Sequence, residues 1–381
     1  MQQLKLHRLT TVPLSFATLL KGQPRFMQQY YEVTIICSDK ELLEKAGEDE
    51  GVKTYPVELT RQITPIKDLK ALWKLYRYFK KEKTFIVHAN TPKASLLGML
   101  AAKFAKVPNR LYTVTGLRFE AERGIKRRIL IAMEKLTCRA ATKVIPEGQG
   151  VKKTLIKNKI TNKPLQIIAN GNINGIDTAF FSPALFSHEQ NETLKNQTGI
   201  PRNAFVFCFV GRLVKDKGIN ELVQAFIEVN KTFRYAILLL VGPFEQELDP
   251  LLPETEKAIR EHPDIFSVGF QTDVRPYLAV SDVFVFPSYR EGFPNVVMQA
   301  GAMGLPCIVT DINGCNEIVE DGVNGLIIPP KNKEQLREKM LLMMENPELR
   351  NQLKQNAREM IVSRYEQKQV WEALLEEYKK L

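Results

Sequence analysis

Short runs of β-branched and apolar residues alternate with longer segments of helical periodicity through both halves of this 381-residue chain. That alternation constrains the fold more than any other feature, because it is satisfied by parallel sheets with helices on both faces. In the first half the pattern predicts strands over 32–37, 84–88, 110–114 and 165–168, with helices over 66–80, 93–106 and 123–139. In the second half it predicts strands over 205–210, 236–241, 265–268, 283–287, 306–310 and 325–328, with helices over 219–229, 295–303 and 333–345 and helix again after Pro347. The length is large for one core, so two domains are expected. Turn formers crowd the stretch Asn170-Gly171-Asn172-Ile173-Asn174-Gly175-Ile176-Asp177, which reads as a hinge. The expected organisation is two doubly wound α/β domains facing a cleft, at 1–175 and 176–362. A last helix over 363–381 would pack back towards the first domain through Trp371, Leu374 and Leu375.

The charge is unevenly divided. Residues 1–177 hold 32 Lys+Arg against 15 Asp+Glu, whereas residues 178–381 hold 22 against 28. A basic first half points to a polyanionic surface, and a solvated basic face is the plain alternative. Clusters such as Lys80-Lys81-Glu82-Lys83, Arg123 with Lys126-Arg127-Arg128, and Lys152-Lys153 with Lys157 and Lys159 favour an anionic membrane, as do Trp73, Tyr76, Tyr78 and Phe79 nearby. No apolar run approaches the ~20 residues that span a bilayer, and the first residues lack the apolar core of a signal peptide. The expectation is a cytoplasmic protein, peripheral on the inner face of the cytoplasmic membrane. Five scattered cysteines without a CxxC read as reduced residues, with Cys37, Cys208 and Cys307 inside apolar segments.

Two segments carry candidate chemistry. Phe207 to Val210 leads into Gly211-Arg212-Leu213-Val214-Lys215-Asp216-Lys217-Gly218, a strand, a glycine turn and two spaced cations ahead of a helix. Arg212 offers a planar fork of donors and Lys217 a point charge, a pairing suited to a diphosphate; solvent-facing cations on an ordinary loop fit the pattern equally. The second segment runs from Val285 to Pro306 and contains Glu291-Gly292-Phe293-Pro294-Asn295. A carboxylate beside the free amides of a helix start suits sugar hydroxyls. Gln299, eight residues after Glu291, shares roughly its face. Taken singly, Glu291 also reads as a capping carboxylate and Gln299 as a partly buried helix residue. Neither a Walker motif nor GxGxxG is present, and no metal-ligand spacing appears among the four histidines.

In combination, Asn174 to Asp177, VGRLVKDKG, VGFQTDVRPYLAVSDVFVFPSYREGFPNVVMQAGAMGLP and DINGCNEIVEDGVNGLIIPP resemble the family 4 glycosyltransferases of GT-B fold, in the bacterial capsular and surface-polysaccharide branch. Thr11 to Ser15 and Val87 to Ala94 extend the resemblance over nearly the whole chain. It implies two Rossmann-like domains. It also implies retaining, metal-independent transfer from a nucleoside-diphosphate sugar, the base uridine by analogy, to a lipid-linked glycan acceptor. No cofactor is implied; the nucleotide sugar is a co-substrate. By this match Arg212 and Lys217 hold the diphosphate beside Gly211. Glu291, Gly292, Phe293, Pro294 and Asn295 hold the transferring sugar, and Gln299 the ribose. Phe270, in the segment from Gly269 to Val274, lies near the base.

The sequence departs from the family at three points. Gln299 replaces a usual glutamate, Thr115 stands where many relatives carry a histidine, and the loop from Pro13 to Gly22 lacks a double glycine. A threonine donates a hydrogen bond but is no general base near neutral pH. His88, Thr115, Lys93 and Arg118 are the acceptor-side candidates; a structural histidine and solvated cations are the competing readings for His88, Lys93 and Arg118. Gln299 and Thr115 also motivate an alternative, a non-catalytic nucleotide- or glycan-binding relative or partner subunit. A nicotinamide enzyme lacks its glycine fingerprint, and no nucleic-acid partner is expected.

Overall fold

The computed structural model describes residues 3–60, 62, 64–245 and 249–381. The chain divides into two units, Met1–Gly175 with Gln367–Leu381, and Ile176–Glu366.

In the first unit β1 (Lys5–Leu9) is followed by two short helices, α1 (Leu14–Ala17) and α2 (Gln23–Met27), then β2 (Glu32–Cys37), α3 (Lys40–Glu50) and β3 (Lys53–Pro56). The chain continues through α4 (Pro65–Glu82), β4 (Ile86–Ala89), α5 (Pro92–Phe104), β5 (Asn109–Val114), α6 (Gly124–Ala140), β6 (Lys143–Pro146) and α7 (Gln149–Lys157). The six strands are parallel, in the order β3-β2-β1-β4-β5-β6. Because parallel crossovers are right-handed, the reversal of direction at β1 puts α4, α5 and α6 in one layer and the helix α3 on the opposite face.

Two expectations are corrected here. Residues 165–168 form no strand: Leu165 makes a single bridge to Val144, and Ile168 is apolar because it packs with Leu374 and Tyr378 of the C-terminal segment. Strands β1, β3 and β6 are absent from the sequence-based prediction, and β1 is a central strand whose His7 and Arg8 are buried and hydrogen bonded.

The second unit runs α8 (His188–Thr198), β7 (Phe205–Val210), α9 (Ile219–Thr232), β8 (Ala236–Val241), α10 (Pro253–Glu261), β9 (Ile265–Ser267), α11 (Arg275–Ala279) and β10 (Val283–Phe286). It ends with α12 (Asn295–Ala302), β11 (Cys307–Thr310), α13 (Cys315–Ile318), β12 (Gly325–Ile328), α14 (Lys333–Glu345) and α15 (Pro347–Tyr365). Its sheet is also parallel, in the order β12-β11-β10-β7-β8-β9. FVFCFV and AILLLV are buried at every position, as strands covered on both faces must be. The last helix, α16 (Gln367–Lys379), packs on the first unit, where Trp371 donates from Nε1 to Asn174 Oδ1 at 2.7 Å.

All five cysteines are free and buried. Among the described residues no helix is long and apolar enough to cross a membrane.

Candidate functional site

Strands β7 and β10 are neighbours, and the chain leaves them in opposite directions across the sheet. Their carboxyl ends flank a topological switch point, where open α/β sheets present unpaired backbone donors to ligands. The two segments singled out in the sequence are the loops that leave these strands, Gly211–Gly218 after β7 and Pro287–Pro294 after β10.

The loops are joined by paired charges. Lys217 forms an ion pair with Glu291, both side chains largely shielded from solvent, and Ser288 Oγ donates to Glu291 Oε1 at 2.9 Å. Lys217 Nζ also stands 5.2 Å from the Phe286 ring centroid. Beside them Arg290 Nη2 lies 2.8 Å from Asp216 Oδ2, and Tyr289 N–H donates to the Asp216 carbonyl at 2.8 Å. Gly218 closes the contact: its φ is +71°, and a Cβ there would stand 2.1 Å from the Pro287 carbonyl oxygen. Gly314, with φ of +75°, likewise allows the loop after β11 to reach the backbone of Gly292 and Phe293. Thr310 hydroxyl donates to the Ser288 carbonyl, fixing the same loop from below.

Arg212 is more than half exposed and forms an ion pair with Glu245. Gly211 N–H donates to the Val241 carbonyl at 2.9 Å, holding the turn against β8. Phe293 and Pro294 are buried, Gly292 and Asn295 partly so, and α12 starts at Asn295, leaving its first-turn amides on the loop side. Gln299 is partly exposed one helical stretch further on. Phe270, on the loop after β9, is 70% exposed, an unusual setting for a phenylalanine. The structure therefore brings Lys217, Glu291 and the loop Gly292–Asn295 into one cluster. Arg212 lies on the same loop as Lys217, and Phe270 at the end of a strand two places along the sheet.

The first-unit candidates fare differently. His88 is not at an open edge. Burial, and then the Arg8 guanidinium, hold its imidazole well below its ordinary pKa, and both ring nitrogens are engaged. Nδ1 is 2.5 Å from Tyr378 Oη and 3.0 Å from Arg8 Nη1, and Nε2 is 2.7 Å from Thr113 Oγ1. Its surroundings are those of a structural hydrogen bonder. Lys93 is mostly buried and bonds Asp68 Oδ2 and the Gln62 carbonyl, each at 2.6 Å, so it ties α5 to α4. Thr115 donates from Oγ1 to the Asn90 carbonyl at 3.0 Å, and Arg118 is exposed.

Comparison with known proteins gives the family. A family model described as glycosyl transferases group 1 matches residues 190–360, and one described as glycosyl transferase 4-like matches residues 18–147. The capsular polysaccharide biosynthesis glycosyltransferase CapM of Staphylococcus aureus is 33% identical over 98% of this chain and 96% of that protein. This chain is a group 1 glycosyltransferase. The transferase is also 30% identical, over 88% of its own length and 85% of the relative's, to the UDP-Gal:alpha-D-GlcNAc-diphosphoundecaprenol alpha-1,3-galactosyltransferase of Escherichia coli. Among solved structures, HepE of Anabaena in complex with UDP and glucose aligns with a TM-score of 0.84 at 19% identity, over 99% of the transferase and 100% of HepE. At that identity HepE bears on architecture alone, and the transferase has the GT-B fold.

Several residues of the cluster carried no sequence signal of their own. Glu245 reaches Arg212 from the loop after β8. Ser288 and Thr310 support the Glu291 loop through hydroxyls. Gly314 sits in the DINGCNE segment, where its neighbours marked the family but not its steric role.

Proposed function

We propose that this glycosyltransferase moves a sugar, with retention of anomeric configuration and without a metal cofactor, from a UDP-sugar to a lipid-linked glycan during assembly of a surface polysaccharide. The observation that carries the reading is the Lys217–Glu291 pair at the β7–β10 switch point, with Arg212 on the same loop. In this reading Arg212 and Lys217 neutralise the charge that develops on the leaving diphosphate, which lowers the barrier because the cations are already oriented. Glu291 and the amides of Gly292 to Asn295 hold the sugar hydroxyls, Gln299 bonds the ribose, and Phe270 covers the base. Thr115 and Arg118 remain acceptor-side candidates. The galactosyltransferase relative names an undecaprenol-linked acceptor and CapM a capsular product, which support the acceptor class and the setting. In this reading the enzyme acts on such an acceptor as a peripheral protein on the inner face of the cytoplasmic membrane.

The test is a thermal-shift screen of nucleotide sugars, since a ligand that favours the folded form raises the melting temperature. It is followed by transfer to a polyprenyl-diphosphate-linked glycan with and without a chelator. Stabilisation by UDP and one UDP-sugar, with chelator-resistant transfer, is expected. Binding without transfer from any donor would instead support the non-catalytic alternative, and Gln299→Glu would then restore nothing.

A further inference from the structure

On the face of the first sheet that packs against α16, strands β1, β4, β5 and β6 change character towards their carboxyl ends. Leu6, Ile86, Leu111 and Ile145 share a core with Leu374 and Tyr378. Two residues further along each strand, the same face presents Arg8, His88, Thr113 and Glu147, every one of them buried. Hydrophobic residues of similar volume would be as stable there or more so, so packing against α16 does not account for the polar row.

Arg8 is the costly member of that row. Its side chain is 1% exposed, yet none of its three partners carries a charge. Nη1 donates to Tyr378 Oη at 2.7 Å and to His88 Nδ1 at 3.0 Å, and Nη2 donates to Asn90 Oδ1 at 2.9 Å. An arginine has only donors, so His88 Nδ1 accepts; the ring is neutral, and its proton sits on Nε2, which donates to Thr113. Arg8 Nε and Asn90 Nδ2 have no partner among the described residues. Two carboxylates belong to this layer, and neither serves Arg8. Glu377 of α16 is taken by Lys143 and Lys380, and Glu147 stands three strands away, roughly 14 Å at the usual strand spacing.

A buried guanidinium without a counter-charge is destabilising. Position 90 is where a counter-charge would fit. An aspartate there would accept the same bond from Nη2 and would lose nothing with Nδ2, which bonds nothing. The chain has asparagine instead, and the charge stays uncompensated between β1 and β4, where the strand order reverses. Ligands of open α/β sheets bind at the carboxyl ends of such strands.

We infer that Arg8 is kept uncompensated for an anion of the acceptor, the diphosphate of its lipid link, which it draws to the loops leaving β1, β4 and β5. Arg8 is a positioning residue: it acts by a charge that burial leaves little screened, and through Asn90. The Asn90 carbonyl accepts from Thr115 Oγ1 at 3.0 Å, and the next residue, Thr91, bonds the amide and hydroxyl of Thr11, each at 2.8 Å. Thr91 and Thr115 are partly exposed and offer hydroxyls to the anion. That the anion is a diphosphate rests on the lipid-linked acceptor proposed above; that the site lacks an anion does not.

The deciding variant is Asn90→Asp, which neutralises Arg8 without removing a hydrogen bond. It raises the melting temperature by about 2–4 °C. It also raises KM for a polyprenyl-diphosphate-linked glycan by at least about ten-fold, with KM for the donor as in the wild type. Arg8→Gln raises the acceptor KM likewise, and Arg8→Lys, which keeps the charge, raises it less. In a second measurement, inorganic pyrophosphate added to the UDP-saturated protein raises the melting temperature of the wild type but not of Asn90→Asp. A wild-type acceptor KM in Asn90→Asp overturns the inference, as does a pyrophosphate shift that is absent or equal in the two proteins. A lower melting temperature in Asn90→Asp does the same, since Arg8 would then already be compensated, and equal rises in donor and acceptor KM would mark a merely structural effect. Should the wild type transfer to no diphosphate-linked acceptor while the pyrophosphate shift depends on Asn90 as expected, the functional reading falls and this one stands. Transfer with an unaltered acceptor KM in Asn90→Asp does the reverse.

Discussion

Lys217 and Glu291, 74 positions apart in sequence, form an ion pair at the carboxyl edge of the second sheet, and Ser288 donates to the same carboxylate oxygen. Two residues that hold each other in this way act as a unit. Lys217→Ala and Glu291→Ala are each expected to lower kcat/KM by on the order of 100-fold or more, the scale of losing a preoriented charge-stabilising group. The double variant should lose far less than the product of the two, since paired groups are non-additive. Initial rates of sugar transfer across the four proteins measure this. Near-wild-type rates in Lys217→Ala, or fully multiplicative losses, would show that the pair is not part of the machinery.

Arg212 presents a different case, because its partner Glu245 comes from a loop that carries no other candidate. In the proposed reading, a diphosphate arriving at Arg212 displaces that carboxylate. With Arg212 more than half exposed the pair is worth at most about 1 kcal/mol. Glu245→Gln is therefore expected to tighten UDP binding by no more than about five-fold, with kcat little changed. Titration calorimetry with UDP decides it, and weaker binding in the variant would mean that Glu245 itself contacts the nucleotide.

The second unit was more legible in sequence than the first, and the reason lies in how its strands are covered. FVFCFV and AILLLV are buried on both faces and apolar throughout, so periodicity alone marks them. KLHRL in β1 hides because a central strand there carries His7 and Arg8. Those side chains are accommodated by Thr84, His88, Asn90 and Tyr378, the last of them 370 residues away from Arg8. No local pattern reports such partners. The same network explains His88: the sequence places it near a strand end, but only the fold shows both of its nitrogens taken. Lys217 and Glu291 were legible because strand, turn and helix start recur around each, whereas Glu245 and Ser288 act through loops without periodicity.

Gly218 and Gly322 separate steric need from backbone strain. Their φ angles are +71° and +74°, but a Cβ at Gly218 would meet the Pro287 carbonyl oxygen at 2.1 Å, whereas one at Gly322 would meet nothing within 4 Å. Gly322→Ala is expected to cost about 1 kcal/mol from backbone strain alone. Gly218→Ala adds an overpacking term of about 1–3 kcal/mol and moves the Lys217 loop away from Glu291, lowering transfer as well. Urea unfolding of both variants measures the difference, and equal costs would show that the β7 and β10 loops yield to a methyl group.

Two buried groups of the first unit respond to pH in opposite directions. Burial lowers the His7 imidazole from 6.5 to about 4 and raises the Glu134 carboxyl, beneath α6, from 4.5 to about 7. His7 folds neutral, so its contribution to stability is complete above 6.5 and is lost as pH falls towards 4. Glu134 folds protonated, so its contribution is complete below 4.5 and is lost as pH rises towards 7. Each spans about 3 kcal/mol at about 1.4 kcal/mol per pH unit, and between pH 4.5 and 6.5 the two slopes oppose each other. Glu134→Gln, which keeps a partner for Tyr112, should make stability rise with pH more steeply than in the wild type across that window. His7→Gln should tilt it the other way relative to the wild type, and His88, also held neutral by burial, adds the same acid lability to both variants. Urea midpoints at pH 4.5, 5.5 and 6.5 provide the comparison, and identical slopes in the two variants would mean that neither group titrates while folded in the way its burial requires.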